Sequence, residues 1–166
     1  MPRSCFLILL LATAAWAEDK SPPPKVFGTN KIQDVYRVLL NRDALLLESI
    51  IKVIHEKDVQ DGHVSITAGS VQECTFHYVT SNALKSNNAF KTVKGPLEIL
   101  NGGGIIADSV PHIHITLAPA GGSAFGGHLE NGCRVLYLAE ITIERYAGPL
   151  LTRKPNEQGT SILQAR

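Results

Sequence analysis

The sequence has little net charge and lacks the motifs of several common enzyme classes. Its 166 residues include 16 Lys and Arg against 15 Asp and Glu, which gives a formal net charge of +1. Nucleic-acid-binding proteins usually carry a basic patch or stripe, so this balance argues against a nucleic-acid partner. The sequence contains no Walker loop, dinucleotide fingerprint, nucleophile elbow or internal repeat. Its length and ordinary composition indicate one globular domain of average size.

The one long hydrophobic run lies at the start of the sequence. Residues 6–12 are apolar, Arg3 precedes them, and residues 15–17 (Ala-Trp-Ala) fit the small-x-small cleavage rule. We therefore expect residues 1–17 to be a secretory signal peptide that is cleaved near Ala17. The run is too short to span a membrane, and no second segment of spanning length follows, so no membrane association is expected. The predicted location is the periplasm or the extracellular space.

Cysteine is scarce, and only two cysteines lie outside the predicted signal peptide. Cys74 and Cys133 can form one disulfide in an oxidising compartment. Two cysteines without a dense framework are equally compatible with two buried thiols that pack as small apolar residues. At this point both alternatives remain open.

Composition divides the chain into four parts. After the predicted signal peptide, residues 18–30 contain three consecutive prolines and are predicted to form an extended linker. Residues 31–147 carry the patterns of strands and a helix, and we expect them to form the domain. Residues 148–166 lack clear periodicity and are predicted to form a mobile tail.

The predicted fold class is α+β, with a mostly antiparallel sheet of about seven strands and one amphipathic helix on it. An apolar stripe over residues 46–54 predicts a helix from residue 44 to about residue 57, with Asp43 as the N-cap. Residues 34–40 are apolar on both faces, which favours a central strand. Glycines interrupt several strand patterns, and we interpret the break at residues 101–104 as a bulge. The other predicted strands cover residues 63–68, 71–79, 90–93, 97–107, 112–117, 123–128 and 133–146.

Three histidines in residues 111–129 are predicted to converge. His112 and His114 share one face of a strand because strand side chains alternate between faces. Residues 118–122 form a turn by composition. If the hairpin centres on Ala120, His128 lies opposite His112, whereas a register shift of one residue would move His128 to the apolar face.

This arrangement predicts a site for a divalent metal ion, with zinc as the expected ion. Neutral imidazole is the commonest metal ligand near neutral pH. Three protein ligands and an open position are typical of catalytic zinc, which lowers the pKa of bound water to about 7. The predicted ligands are His112, His114 and His128. A pair of histidines on a strand more often has a structural role, with both side chains hydrogen-bonded within the protein, and that alternative stays open. His63 and His77 have no such partners in the sequence and are predicted to be structural or surface residues.

The same segment resembles a known family. The sequence HIHITLAPAGG…FGGHL, preceded by GPLEIL and followed by YLAEITIERY, is similar to the plant and prokaryote conserved (PPC) domain over about residues 35–146. The resemblance implies the same fold and a homotrimer, and it supports the three histidines as site residues. Glu98 matches the glutamate of the family's G-x-x-E-I-L segment. It is predicted either to hydrogen-bond to one of the metal ligands or to act as a general base.

Two functions are compatible with these observations. The first is a secreted homotrimeric module that binds a small ligand or a protein partner and carries a three-His metal-capable site. The second is a metal-dependent hydrolase or lyase that uses the histidines and Glu98. An enzyme predicts a pocket open to solvent beside an acid–base residue, whereas an interaction module predicts buried or mutually hydrogen-bonded histidines. A third function, nucleic-acid binding, is the least expected, because plant family members carry AT-hooks and this sequence has no Arg-Gly-Arg-Pro hook.

Overall fold

The computed structural model describes residues 21–28 and 31–166, and the predicted signal peptide lies outside them. Residues 21–28 of the predicted linker form no helix or strand. Within the described residues, no helix is both long and apolar enough to cross a membrane. The elements are β1 (Lys31–Asn41), α1 (Leu46–Glu56), β2 (Asp61–Val79), β3 (Asn88–Ala107), β4 (Val110–Pro119), β5 (Phe125–Leu129), β6 (Arg134–Ala147), β7 (Leu151–Pro155) and β8 (Ser161–Ala165).

The sheet topology confirms the predicted α+β class with mostly antiparallel strands. Six strands form one sheet in the order β1-β6-β2-β3-β4-β5. β5 also pairs with the C-terminal end of β2, where Phe76 lies opposite Leu129 and His77 lies opposite His128. Strands β2, β3, β4 and β5 therefore close into a small barrel. β1 lies at the free edge, so the prediction of a central strand at residues 34–40 is wrong, and its outward-facing Val35 and Leu39 are exposed.

Helix α1 supplies one side of the core. Leu46, Ile50 and Ile54 are buried and pack into a core cluster with the inward-facing side chains of the sheet. Full burial of a side chain of this size stabilises the fold by about 1.5–3 kcal/mol. The helix begins at Leu46, two residues later than predicted. Asp43 is not its N-cap, because Asp43 has a φ of 67° and its carboxylate accepts a hydrogen bond from Gln72 Nε2 at 2.6 Å.

Glycines that were predicted to interrupt strands lie inside two long strands instead. β2 continues through Gly69 with register shifts on both sides, and β3 continues through Gly95 and the glycines at residues 102–104. The predicted bulge is present one residue earlier, at Leu100. A β-carbon on Gly104 would lie 1.8 Å from the carbonyl oxygen of His112. Glycine at this position therefore lets β3 approach the backbone of the histidine-bearing strand.

Replacing Gly104 by alanine should destabilise the domain by at least about 2 kcal/mol, because overpacking against rigid backbone commonly costs 1–3 kcal/mol. Chemical denaturation of the variant Gly104→Ala measures this loss. Gly103→Ala is the matched control, since its nearest contact would be 3.0 Å from Val64 O, and its loss should be clearly smaller. Equal stability of Gly104→Ala and the wild type would contradict the close approach of β3 and β4.

The two cysteines form a disulfide. Cys74 of β2 and Cys133, directly before β6, are bonded across a sequence separation of 59 residues. Both are fully buried within the core cluster. The structure thus decides between the two alternatives that the sequence leaves open. The bond joins β2 to the loop that leads into β6.

The C-terminal residues, which the sequence predicts to form a mobile tail, form a paired hairpin. β7 and β8 pair from Leu151 opposite Ala165 to Pro155 opposite Ser161. The hairpin is fastened to the domain at its two ends. The backbone N–H of Leu151 donates to the buried Asp61 Oδ2 at 3.1 Å, and Arg166 Nη1 lies 3.3 Å from Asp108 Oδ1.

Candidate metal centre

β4 has an apolar face and a histidine face, as predicted. Its inward-facing side chains Ile113, Ile115 and Leu117 are buried in the core. The alternate residues face outward, and among them His112 is half-buried and His114 is exposed. The period of two along the strand therefore places both imidazoles on one surface.

The register of the hairpin differs from the prediction but keeps His128 on the same face. His128 lies opposite His114 rather than His112. Leu117 lies opposite Phe125, so the hairpin centres on Gly121 instead of Ala120. This displaces the pairing by two residues, and an even displacement leaves each side chain on its original face. The convergence of the three histidines survives for that reason.

The three imidazoles face one another at distances that suit one ion. Their nearest nitrogens all lie within 4.8 Å of one another. The ring centroids are 5.3 Å apart for His112 and His114, 4.6 Å for His112 and His128, and 5.5 Å for His114 and His128. Tetrahedral zinc, with Zn–N bonds of 2.0–2.1 Å, places two nitrogens roughly 3.4 Å apart. His114 is exposed and can adjust its rotamer to close this difference, so the donor set fits a divalent ion.

His77 of β2 joins this cluster, so the prediction that it lacks such partners is wrong. It lies opposite His128 across the β2–β5 pairing, and the two rings stack with centroids 4.5 Å apart. Its Nδ1 lies 2.5 Å from Glu130 Oε1. His77, His128 and Glu130 form a second group whose ligand atoms lie within 4.8 Å of one another. His63 is half-buried and lines a separate small pocket with His114.

Arg153 of β7 is a further residue of the site that the sequence did not predict. Its Nη1 contacts Nδ1 of His112, and its Nη2 donates to the carbonyl oxygen of Ser161 at 2.8 Å. A guanidinium group can only donate hydrogen bonds, so His112 Nδ1 is the acceptor in this contact. The C-terminal hairpin thus brings a positive charge against the histidine cluster.

The histidines line a cavity of about 570 Å³. This volume lies within the range of about 300–1,000 Å³ that is typical of small-molecule sites. Part of the C-terminal hairpin forms one wall, and the ends of β2, β4 and β5 form the others. The lining residues are His77, Tyr78, Val79, Ser86, Asn88, His112, His114, Gly127, His128, Arg153, Gly159, Thr160 and Ser161.

Glu98 lies in a different part of the molecule from this cavity. On β3 it lies opposite Ala118, which is four residues beyond His114 on β4, or roughly 13 Å along a strand. The residue opposite His114 is Gly103, and Glu98 lines another pocket with Ser70 and other residues. Within one chain the structure therefore does not bring Glu98 to the histidines. The carboxylate that belongs to the cluster is Glu130.

Burial keeps the central imidazoles unprotonated. Burial, and next the positive charge of Arg153, lower the pKa of His112 to about 4. Burial, and next the charge of His77, also lower the pKa of His128 below its usual range. Metal ions bind the neutral form of imidazole. Both residues are therefore neutral at neutral pH. The lone pair of His112 lies on Nδ1 and faces Arg153, so this contact must give way when His112 binds an ion.

The stability of the metal-free protein should fall as the pH is lowered from about 6.5 towards 4. The unfolded chain protonates His112 near 6.5, whereas the folded protein resists protonation until about 4, so acid favours the unfolded state in this window. Above 6.5 this contribution is complete and constant. Urea denaturation at a series of pH values, with chelator present, measures the effect. The variant His112→Gln should flatten this part of the profile, and an unchanged slope would contradict the assignment.

Comparison with known proteins places the chain in a family. The sequence profile of the Plants and Prokaryotes Conserved (PCC) domain matches residues 28–147. The chain belongs to this family. This is the PPC family that residues 35–146 resemble, so the predicted resemblance is confirmed. The match ends at residue 147, which leaves β7, β8 and Arg153 beyond the matched region.

Solved structures share the fold over their whole length. A metal-containing protein from Archaeoglobus fulgidus is 25% identical, with a TM-score of 0.73 over 85% of this chain and 99% of its own. A PPC protein from Pyrococcus horikoshii is 22% identical, with a TM-score of 0.70 over 86% and 99%. A protein from Bacteroides thetaiotaomicron named as a candidate DNA-binding protein is 23% identical, with a TM-score of 0.72 over 85% and 99%.

Curated relatives are much longer than this chain. Bifunctional GlmU proteins from two Synechococcus strains, JA-2-3B'a(2-13) and JA-3-3Ab, are each 27% identical over 137 residues. The match covers 82% and 81% of this chain but 20% of each relative. The chain thus spans about a fifth of the length of these proteins.

Proposed function

We propose that this PPC-domain protein binds one divalent metal ion, with zinc as the expected ion, and presents it to a small ligand in the adjacent cavity. The observation that carries the proposal is the convergence of three imidazoles within 4.8 Å on the wall of a 570 Å³ cavity. The proposed ligands are His112, His114 and His128. The similar protein from Archaeoglobus fulgidus is metal-containing, which supports the proposal.

The donor set suits a reactive rather than a closed site. Three nitrogen ligands leave a fourth position open, and zinc held in this way lowers the pKa of a bound water to about 7. β4 and β5 hold the three side chains on paired strands, so little ordering of the backbone is needed on binding. Glu130 orients His77 through its hydrogen bond, and His77 in turn stacks on His128. Partners of this kind fix the orientation of metal ligands.

The proposed setting is a secreted or periplasmic homotrimer that acts as a binding module. The Cys74–Cys133 disulfide supports an oxidising compartment, because such bonds are rare in the cytosol. Exposed apolar side chains on the outer face of the β1–β6 edge, such as Val35, Leu39 and Leu138, support burial of this face by another subunit. Gel filtration with light scattering at micromolar concentration distinguishes a trimer of about three chain masses from a monomer.

A metal-dependent hydrolase or lyase is the second candidate. The accessible cavity favours it, because a pocket with room for a substrate lies beside the proposed ion. Glu98 lies outside this cavity. The acid–base role would pass to His77, which lines the cavity and is hydrogen-bonded to Glu130. A screen of ester, phosphoester and amide substrates with and without zinc tests this candidate.

A nucleic-acid partner remains unexpected on the charge of the chain. The likeness to the Bacteroides thetaiotaomicron protein, at 23% identity, concerns the fold alone. The formal net charge is only +1. Retention of a labelled DNA duplex at low salt, lost at high salt, would contradict the expectation.

Calorimetric titration of chelator-treated, tag-free protein with zinc tests the proposed function. One ion should bind per chain in the wild type. The double variant His112→Gln/His114→Gln should bind none at that site, because two of the three nitrogens are lost. Saturation of the double variant with the wild-type affinity would refute the assignment of the ligands.

A further inference from the structure

We infer that the cavity is a receptor for small organic anions and that Arg153 binds their carboxylate or phosphate group beside the histidine cluster. The inference rests on the proposed function, in which the cavity holds a small ligand beside the metal site, and it adds the chemical class of that ligand. Three observations support it: no acidic residue lines the cavity, Arg153 has no carboxylate partner among the described residues, and the C-terminal hairpin holds Arg153 in the cavity wall.

The cavity lining carries the positive charge of Arg153, with no acidic residue among the described residues that form it. Four histidines and Arg153 face the space. Ser86, Asn88, Thr160 and Ser161 add hydroxyl and amide groups that can complete the hydrogen bonds of an anion. The nearby carboxylate of Glu130 already binds His77 at 2.5 Å. Nothing in this lining repels a negatively charged ligand.

Arg153 has no carboxylate partner among the described residues. Other arginines do have one: Arg145 lies 2.5 Å from Asp34, and Arg166 lies 3.3 Å from Asp108. The contacts of Arg153 are the imidazole of His112 and the carbonyl oxygen of Ser161. A bound anion would supply the missing negative charge.

The guanidinium of Arg153 is held in place with donors to spare. It has five N–H donors, and its contacts with His112 and Ser161 leave others that can point at a ligand. A planar guanidinium matches carboxylate and phosphate groups with two parallel hydrogen bonds. The Ser161 carbonyl and the anchored ends of the hairpin orient the group. Less side-chain freedom is therefore lost when an anion binds.

Arg153 lies outside the residues that the family profile matches. The PPC match ends at residue 147, and the hairpin follows it from Leu151 to Ala165. The matched residues contribute the histidines, and the hairpin contributes the cation and part of one wall of the cavity. An anion between them would contact both parts of the chain.

The test compares matched charged and neutral ligands on wild-type protein and on variants at Arg153. Benzoate and phenyl phosphate are the anionic probes, and benzamide is the neutral counterpart of benzoate. Calorimetry is performed on zinc-loaded and on metal-free protein. The wild type should bind the better anion at least about tenfold more tightly than benzamide, since hydrogen bonds to charged groups are the stronger ones. The preference between the two anions identifies a carboxylate or a phosphate ligand.

The variant Arg153→Gln should lose at least about tenfold in anion affinity and most of the preference over benzamide. Arg153→Lys should retain part of the preference, because it keeps the charge and loses the planar fork. Arg37→Gln is the matched control, since Arg37 is exposed on β1 and lines a separate pocket. If Arg153→Gln does not fold, the Arg153→Lys variant and the wild-type preference carry the test.

The outcomes separate this inference from the proposed function. Zinc binding without any preference for anions would overturn the inference and leave the proposed function standing. Anion preference that depends on Arg153 in a protein that binds no zinc would support the inference and refute the metal site. Wild-type anion affinity in Arg153→Gln would overturn the inference, whatever the zinc content.

Discussion

Replacing His128 by glutamine is expected to lower the zinc affinity at least about a hundredfold. His128 belongs to both groups of converging ligands, the one with His112 and His114 and the one with His77 and Glu130. Its loss therefore removes a nitrogen from either arrangement. Residues that only hydrogen-bond to metal ligands already contribute about 10–100-fold to metal affinity. Loss of a direct ligand should therefore have at least that effect. Competition with a chelator of known zinc affinity measures the change.

Two further variants sharpen this result. His55→Gln is the neutral control, because His55 is exposed on α1 and lies outside both groups of ligands. His77→Gln should weaken zinc binding less than His128→Gln, because His77 belongs only to the second group. The folded state of each variant is checked by thermal unfolding in the presence of chelator. A His128→Gln protein that binds zinc as tightly as His55→Gln would refute the metal site.

Loss of the disulfide is expected to lower the free energy of unfolding by about 2–4 kcal/mol. The bond joins Cys74 and Cys133 across 59 residues, and a loop of that length loses about 4 kcal/mol of entropy in the unfolded chain on the chain-entropy account. Both cysteines are fully buried in the core cluster, so a reagent reaches them only when the fold opens. Urea denaturation of oxidised and reduced protein measures the difference.

The double variant Cys74→Ala/Cys133→Ala is the control for the reductant. It should unfold at the lower urea concentration whether or not reductant is present, while the wild type should shift only when it is reduced. Mass spectrometry of protein denatured in an alkylating reagent gives an independent answer, since neither cysteine should be modified before reduction. Alkylation of both cysteines in freshly purified, unreduced protein would contradict the disulfide and would remove one support for an oxidising compartment.

The features of the fold that depend on local patterns could be predicted from the sequence. The stripe at Leu46, Ile50 and Ile54 predicts α1, and the alternation on β4 predicts its two faces. Features that depend on distant parts of the chain could not. Gly69 and Gly95 resemble breaks in the sequence, but neighbouring strands carry β2 and β3 through them. β7 and β8 are five residues each, too short for a clear periodic signal.

The same distinction explains the site. His112, His114 and His128 lie on one local hairpin, so their convergence follows from the strand period and survives the change of register. His77 reaches the cluster only because β5 pairs back onto β2, and Arg153 reaches it only because the C-terminal hairpin folds over the cavity. A motif match alone suggested Glu98, and the antiparallel register of β3 and β4 places it opposite Ala118, away from the histidines.

The metal content of the mature protein tests the central claim most directly. The protein is purified without chelator and without a histidine tag, and its metals are counted by inductively coupled plasma mass spectrometry. We predict about one zinc or similar divalent ion per chain, and loss of that ion in the variant His128→Gln. Less than a tenth of an ion per chain, persisting after incubation with excess metal, would contradict the metal centre and would leave the histidine hairpin as a purely structural element.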